Sequence, residues 1–163
     1  MNEIIYKPVG IIHTPYGNTR DVPIQPVAAK GIKGTIEVFP DYAAGLKDVD
    51  GFSHIILIYH FHLSKGYQLK VKPFLDDSKH GVFATRAPSR PNQIGLSVVK
   101  LVKVENNILH IENVDMINDT PLLDIKPFIS DFEAVEDVKI GWLSKSIHKI
   151  SARKSDERFG FVL

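Results

Sequence analysis

Eight short apolar runs, separated by stretches rich in Gly, Pro, Asn and Asp, limit most strongly what this chain can fold into. They read as strands at Tyr6–His13, Gly34–Phe39, His54–His62, Gln68–Pro73, Val82–Thr85, Leu96–Val104, Ile108–Val114 and Leu122–Phe128. Apolar runs of this length bounded by turn residues are the pattern of β structure. "VENNIL" joins two runs as a tight hairpin, with Asn106 and Asn107 tolerating positive φ. Two stretches look helical: "DYAAGLKDVDGF", which puts Tyr42, Leu46 and Val49 on one face, and "WLSKSIHKISARKSDERF". Many strands, few helices and no strand–helix–strand alternation predict a mainly β protein, an antiparallel barrel or sandwich with a few short helices.

The length of 163 residues, with no internal repeat, fits a single domain. The strand "SHIILIYHFH" is apolar on both faces. His54, Ile56, Ile58, His60 and His62 point one way, and Ile55, Leu57, Tyr59 and Phe61 the other. Such a strand is central, or its outer face meets a second subunit. The net charge of +1 gives no overall field towards nucleic acid or membrane. The absence of Cys removes disulfides, thiolate metal sites and a cysteine nucleophile. The start "MNEIIYKPVG" has no signal-peptide pattern, and "HIILIYHFHL" is too short to span a bilayer. The expectation is a soluble cytoplasmic protein with no membrane or DNA partner.

The chemistry concentrates in "GVFATRAPSRPNQIGLSVVKL", residues 81 to 101. Pro88 and Pro91 fix φ and stiffen the connection. On that frame Arg86 and Arg90 suit a bidentate grip on carboxylate or phosphate. The same segment also reads as a surface loop paired with Asp76 or Asp77. His60 and His62 form His-x-His, a metal-barrel spacing for which His54 or His80 would supply a third ligand. Histidines satisfied by backbone in a core or interface give the same pattern, and no carboxylate stands beside them. "VDMINDTPLLDIKPF" carries Asp115, Asn118, Asp119 and Asp124, good turn chemistry that also presents backbone groups to a nucleobase edge. Asp124 and Lys126 share a strand face and can pair. The Pro-rich loop "HTPYGNTRDVPIQP" is longer than a connector needs to be. There is no P-loop, no Gly-x-Gly-x-x-Gly after a strand, no Gly-x-Ser-x-Gly and no His-Glu-x-x-His, which removes the commonest nucleotide-binding and hydrolase readings.

In order along the chain, "GIIHTPYG", "PIQP", "GTIEVFPDYAAGLKDVDGFSHIILIYHFH", "HGVFATRAPSRPNQIGLSVVKL" and "VDMINDTPLLDIKPF" resemble the TsaA-like (TrmO or VirR) family over roughly residues 5 to 130. The resemblance implies a β-barrel domain over 1–130, with 131–163 as a C-terminal extension packed on the barrel or a dimer interface. It implies a homodimeric methyltransferase that uses S-adenosyl-L-methionine. The substrate it implies is N6 of threonylcarbamoyladenosine at position 37 of tRNA, in the anticodon arm. Family cofactor contacts fall on Pro23, Ile24, Gln25, His62, Leu63, Arg86 and Leu96, and on the turn Asp115, Met116, Ile117, Asn118, Asp119 and Thr120. The chain departs from the family pattern at Ile24, where Arg is usual, at Gln93, where Pro is usual, and at Asn118-Asp119, where Asp-Gly is usual.

With that function, Arg86 would serve the cofactor and Arg90 would hold the loop or an RNA phosphate. Arg20, Lys65, Lys70 and Lys72 are further candidates for phosphate. The target nitrogen carries a carbonyl substituent and needs to lose its proton, so a base is expected, with Tyr59, His62 and Asp124 as candidates. A metal enzyme using His60 and His62 and a non-catalytic RNA- or metabolite-binding module are the rival functions. No metal is expected under the main reading.

Overall fold

The computed structural model describes residues 3–20, 22–152 and 154–156. In chain order its strands are β1 (Gly10–His13), β2 (Lys33–Val38), β3 (His54–His60), β4 (Lys70–Val71), β5 (His80–Gly81), β6 (Ile94–Glu105), β7 (Ile108–Glu112) and β8 (Thr120–Pro127). Six of them close into an antiparallel barrel in the order β1-β2-β7-β6-β3-β8, and β4 pairs with β5 outside it. The pairing of β1 with β8 completes the ring, so the barrel leaves no open edge.

Alternation explains the interior. Ile12, Ile36, Ile55, Leu57, Val99, Leu109, Ile111 and Leu122, contributed by all six barrel strands, point inward and are fully buried. Each such side chain stabilises the fold by about 1.5–3 kcal/mol. The long β6 pairs first with β3, from Ile94 to Lys100, and then with β7, from Lys100 to Glu105. A bulge between Leu101 and Lys103 leaves Val102 half exposed on the outside. β3 lies between β6 and β8, and its outward residues His54, Ile56, Ile58 and His60 are only half-buried.

The hairpin at Asn106 forms, with φ of 55° at that residue; Asn107 instead donates through Nδ2 to Val38 O at 2.8 Å. Several strands are shorter than the sequence predicts: Tyr6 is exposed and β1 begins only at Gly10, and Gln68–Pro73 pairs only at Lys70 and Val71. Val82–Thr85 is not a strand. Thr85 N and Oγ1 both bond Val82 O, which curls the segment into a 3-10 turn. The stretch from Tyr42 is not α-helical either. It forms two 3-10 turns, Pro40–Leu46 and Val49–Gly51, broken by the left-handed backbone of Asp48. Leu46 and Val49 pack on the core while Tyr42 stays exposed.

Beyond the barrel a single α-helical turn, α1 (Ser130–Glu133), precedes 3-10 turns at Gly141–Lys145 and Ile147–Ala152. The helix predicted from Trp142 is therefore not continuous; its last residues, 157–159, lie outside the described ones. Among the described residues no helix is long and apolar enough to cross a membrane.

Candidate functional site

A cavity of about 350 Å³ opens at the barrel rim where β3 ends and β6 begins. Its barrel wall includes Tyr59, Phe61, Gly95, Leu96, Asp115, Met116 and Thr120. Tyr59 faces Gly95 across the β3–β6 ladder. A Cβ at Gly95 would run into the Tyr59 ring, so only glycine lets that ring lie flat on the neighbouring strand. Phe61 meets Tyr59 edge-on, with centroids 5.4 Å apart.

Behind this surface is a polar chain. Ser97 Oγ donates to Asp115 Oδ1 at 2.7 Å, and the Tyr59 hydroxyl lies 3.0 Å from Ser97 Oγ. Ser97 has one proton and spends it on Asp115, so Tyr59 is the donor to Ser97. Burial pushes the Asp115 carboxyl up to about 7, against the hydrogen bond from Ser97 and the charge of Arg86, which both lower it. Burial, and then the Asp115 charge, push the Tyr59 phenol far above its ordinary value. The residue Asp115 keeps a small opening onto the cavity, so its enclosed carboxyl can still meet a ligand.

The opposite wall is made of loops. Pro23, Ile24 and Gln25 come from the loop after β1; Arg86, Pro88 and Arg90 come from the Pro-rich connection before β6. Arg90 Nη1 donates to Val82 O, Thr85 O and Ala87 O at 3.2, 2.8 and 3.4 Å and so staples its own loop, with the Phe83 ring 6.0 Å from its Cζ. Arg86 is exposed towards the cavity, and its Nη1 donates to Gln25 Oε1 at 3.0 Å. Neither arginine pairs with Asp76, which binds His80, or with Asp77, which binds Lys72. The C-terminal segment closes this wall. Ser155 Oγ donates to Thr19 O at 2.7 Å and accepts from Val22 N at 2.9 Å, and Ser155 and Asp156 line the cavity. Trp142 Nε1 donates to Ala84 O at 2.8 Å and its ring stacks on His80.

Thus Pro23, Ile24, Gln25, His62, Leu63, Arg86, Leu96, Asp115, Met116, Ile117 and Thr120 meet in one cavity, joined by Tyr59 and Arg90. Asn118 and Asp119 do not line it. Asn118 Oδ1 accepts from Thr14 N at 2.9 Å, and Asp119 Oδ1 lies 3.1 Å from His13 Nδ1 on the outside. Asp119 takes φ of 59°, the left-handed backbone natural to the glycine it replaces, so Asp makes this turn. Asp124, expected as a candidate base, does not line the cavity either: it stands on the barrel exterior, 2.7 Å from Lys126 Nζ. Gln93 donates to Gly66 O, a bond that proline in its place would lack. Arg20 and Lys65 do not line the cavity but follow Thr19 and Ser64, which do.

The chain leaves β3 at His60, so His62 is no longer carried by the strand and enters the cavity alone. Burial, and then the neighbouring His60, lower its imidazole below the ordinary value, against the charge of Asp119, which raises it. His54 bonds Ser53 and His80 bonds Asp76. Among the described residues no group of three or more His, Cys, Asp or Glu comes together to hold a metal, which removes the structural basis for the metal-enzyme reading. Sequence reasoning missed Ser97 and Ser155. Ser97 had a signal, a lone hydroxyl at an inward position of the apolar strand "IGLSVVKL". Ser155 had none.

The family model for the tRNA-methyltransferase O N-terminal domain matches residues 11–134. A probable S-adenosyl-L-methionine-binding protein of Pyrococcus abyssi is 57% identical over 156 residues, covering 96% of this chain and 85% of its own length. The tRNA (adenine(37)-N6)-methyltransferase of Homo sapiens is 33% identical over 142 residues, covering 83% of this chain and 32% of its own length. The crystal structure of TrmO from Pseudomonas aeruginosa superimposes with a TM-score of 0.72 at 33% identity, covering 87% of this chain and 63% of that one. The chain thus spans only part of the human and Pseudomonas proteins. With the model match running from β1 through α1, the chain belongs to the tRNA-methyltransferase O N-terminal domain family.

Proposed function

We propose that the chain binds S-adenosyl-L-methionine in the rim cavity and methylates N6 of an adenosine in tRNA, with threonylcarbamoyladenosine at position 37 of the anticodon arm as substrate. The observation that carries this is the cavity itself, which gathers Pro23–Gln25, His62, Leu63, Arg86, Leu96, Asp115–Ile117 and Thr120 from remote parts of the chain. Its residues fit the cofactor chemically. Arg86 offers a planar fork for a carboxylate. The Asp115 carboxyl offers an enclosed acceptor in a wall free of other carboxylates except Asp156. Leu63, Leu96, Met116 and Ile117 supply apolar surface for an adenine ring, and the volume is within the usual range of small-molecule sites.

Bound there, the cofactor supplies an electrophilic methyl group on a sulfonium centre. The chain's own part is to hold the reactants in line, worth several kcal/mol of barrier. Gln25 orients Arg86, Arg90 fixes the loop that carries it, and the β3–β6 ladder fixes the facing wall. Arg90, which lines the cavity, and Arg20 and Lys65, next in the chain to the lining residues Thr19 and Ser64, would meet RNA phosphate. The reading includes a two-fold dimer in the cytoplasm. It is supported by the outer face of β3 and β6, where Ile94 and Leu96 are exposed beside half-buried Ile56 and Ile58.

The test has two parts. Saturating S-adenosyl-L-methionine should raise the thermal midpoint by mass action. Mass spectrometry of nucleosides after incubating protein, cofactor and unmethylated total tRNA should reveal a methylated threonylcarbamoyladenosine. No midpoint shift at millimolar cofactor rejects the reading; a shift with no nucleoside product leaves a binding module.

A further inference from the structure

We propose that Asp115 is the proton acceptor of the methyl transfer, positioned by Ser97 and Tyr59. This rests on the proposed function and deepens it. Three groups form an ordered chain from the barrel interior to the cavity: the Tyr59 hydroxyl donates to Ser97 Oγ at 3.0 Å, and Ser97 Oγ donates to Asp115 Oδ1 at 2.7 Å. Tyr59 and Ser97 are inward residues of paired strands and are almost fully buried. The Asp115 carboxyl is therefore aimed by the sheet, and it opens onto the same cavity as Arg86, His62 and Leu96.

A nitrogen bonded to adenine and to a carbonyl carbon is a weak nucleophile while it keeps its proton. In the transfer, that nitrogen forms a bond to the methyl carbon as the carbon–sulfur bond breaks and its electron pair stays on sulfur. The N6 proton passes to the Asp115 carboxylate. A sulfonium cation and a carboxylate become a neutral thioether and a carboxylic acid, so charge and atoms balance. The acid then releases its proton to solvent through the cavity.

The groups acting on Asp115 are Ser97 and Tyr59 from the barrel, Tyr16 from the loop after β1, and Arg86 from the facing loop. Arg86 is the one cation among them and favours the carboxylate, while burial favours the acid. The balance holds this carboxyl near 7, where a base is ionised enough to accept a proton and basic enough to keep it. The other candidates serve less well. Tyr59 holds its proton too firmly, Asp124 is outside, and no hydrogen bond among the described residues orients the His62 ring.

The experiment compares wild type with Asp115→Asn, Ser97→Ala and His62→Gln in methyl transfer to tRNA from S-adenosyl-L-methionine, with cofactor affinity measured by calorimetry. Wild-type kcat should rise with pH along a limb near neutrality. Asp115→Asn should lose at least a hundredfold in kcat at saturating cofactor, set from the calorimetric affinity of each variant, and should lose that limb. Ser97→Ala removes a bond to the carboxylate and should move the limb to higher pH while the plateau rate falls little, which a merely structural serine would not do. In a second readout that needs no cofactor, the thermal midpoint of wild type should fall relative to Asp115→Asn between pH 4 and 8. An undiminished kcat of Asp115→Asn at saturating cofactor, or a limb that persists in Asp115→Asn and vanishes in His62→Gln, overturns the proposal. Wild-type protein that binds cofactor but methylates no tRNA instead overturns the parent reading, and the base falls with it.

Discussion

The barrel wall of the cavity is held by strand ladders, and the loop wall is held by side chains that reach backbone. On the barrel side Tyr59, Gly95 and Ser97 belong to β3 and β6, whose mutual register runs unbroken past the site, while β3 shifts by one residue against β8 between Ile58 and Tyr59. On the loop side Arg90 ties three carbonyls, Arg86 leans on Gln25, and Ser155 clasps the loop at Thr19 and Val22. The first construction tolerates an enclosed carboxyl because the rest of the barrel keeps it in place. The second leaves a charged side chain exposed and adjustable. Under the proposed function, proton chemistry falls to the rigid wall and the grip on the cofactor carboxylate to the adaptable one, as expected when local stability differs across a fold.

The largest test of that division is Asp115→Asn, read as stability. Folding raises the Asp115 carboxyl from 3.8 to about 7. Below pH 4 both folded and unfolded chains keep the proton and the group contributes its full share. As pH rises towards 7 the unfolded chain gives the proton up and the folded chain does not, so stability is lost. Above pH 7 the loss approaches about 4 kcal/mol, since one unit is worth 1.36 kcal/mol. Asparagine does not titrate and still accepts from Ser97. Urea unfolding should find Asp115→Asn more stable than wild type by up to about 4 kcal/mol at pH 8 and nearly equal to it at pH 3.5. Equal stability at both values would mean that the rigid wall stores no such penalty.

Much of that wall was legible in the sequence. The doubly apolar run "SHIILIYHFH" and the apolar run Leu96–Val104 placed β3 and β6; short strands without crossover helices gave a barrel or sandwich, and the resemblance chose the barrel. What failed was local. A short apolar run such as Val82–Thr85 reads as strand, yet Thr85 Oγ1 competes for the Val82 carbonyl and turns it. "DYAAGLKDVDGF" has helical spacing, but Asp48 goes left-handed and ends the turn. The loop wall was legible mainly through resemblance. Periodicity carries no information about Arg86 meeting Gln25 across 61 positions, or Ser155 meeting Thr19 across 136. Such contacts depend on how the closed barrel delivers its loops.

Next in size is Arg86→Ala, which probes the adaptable wall. If Arg86 grips the cofactor carboxylate, alanine should weaken S-adenosyl-L-methionine binding by about 1.5–3 kcal/mol, roughly ten- to a hundredfold. Arg86→Lys should restore only part, because an ammonium cannot match the planar fork. At pH 4, where the Asp115 carboxyl keeps its proton, unfolding stability should barely move, since Arg86 is exposed and its side-chain hydrogen bond among the described residues is to Gln25. Calorimetric titration decides; unchanged affinity in folded Arg86→Ala would take the residue out of the site.

The smallest effect belongs to Ser155→Ala, and it asks whether the two walls unfold together. Alanine keeps the backbone bond from Ser155 N to Val22 O and removes only the hydroxyl. Val22 N, on a buried residue, then loses its acceptor, and Thr19 O loses its donor. Leaving such groups unpaired costs about 1–2 kcal/mol. If the loop wall opens on its own, that cost appears locally: exchange of the Val22 amide should speed up by about five- to thirtyfold, as 1–2 kcal/mol implies. Amides of Leu57 and Val99 in the barrel should exchange as before, and the urea midpoint should hardly shift. Faster exchange at Val22, Leu57 and Val99 alike would join both walls in one cooperative unit. The contrast between them would then lie in how their side chains are held, and no longer in stability.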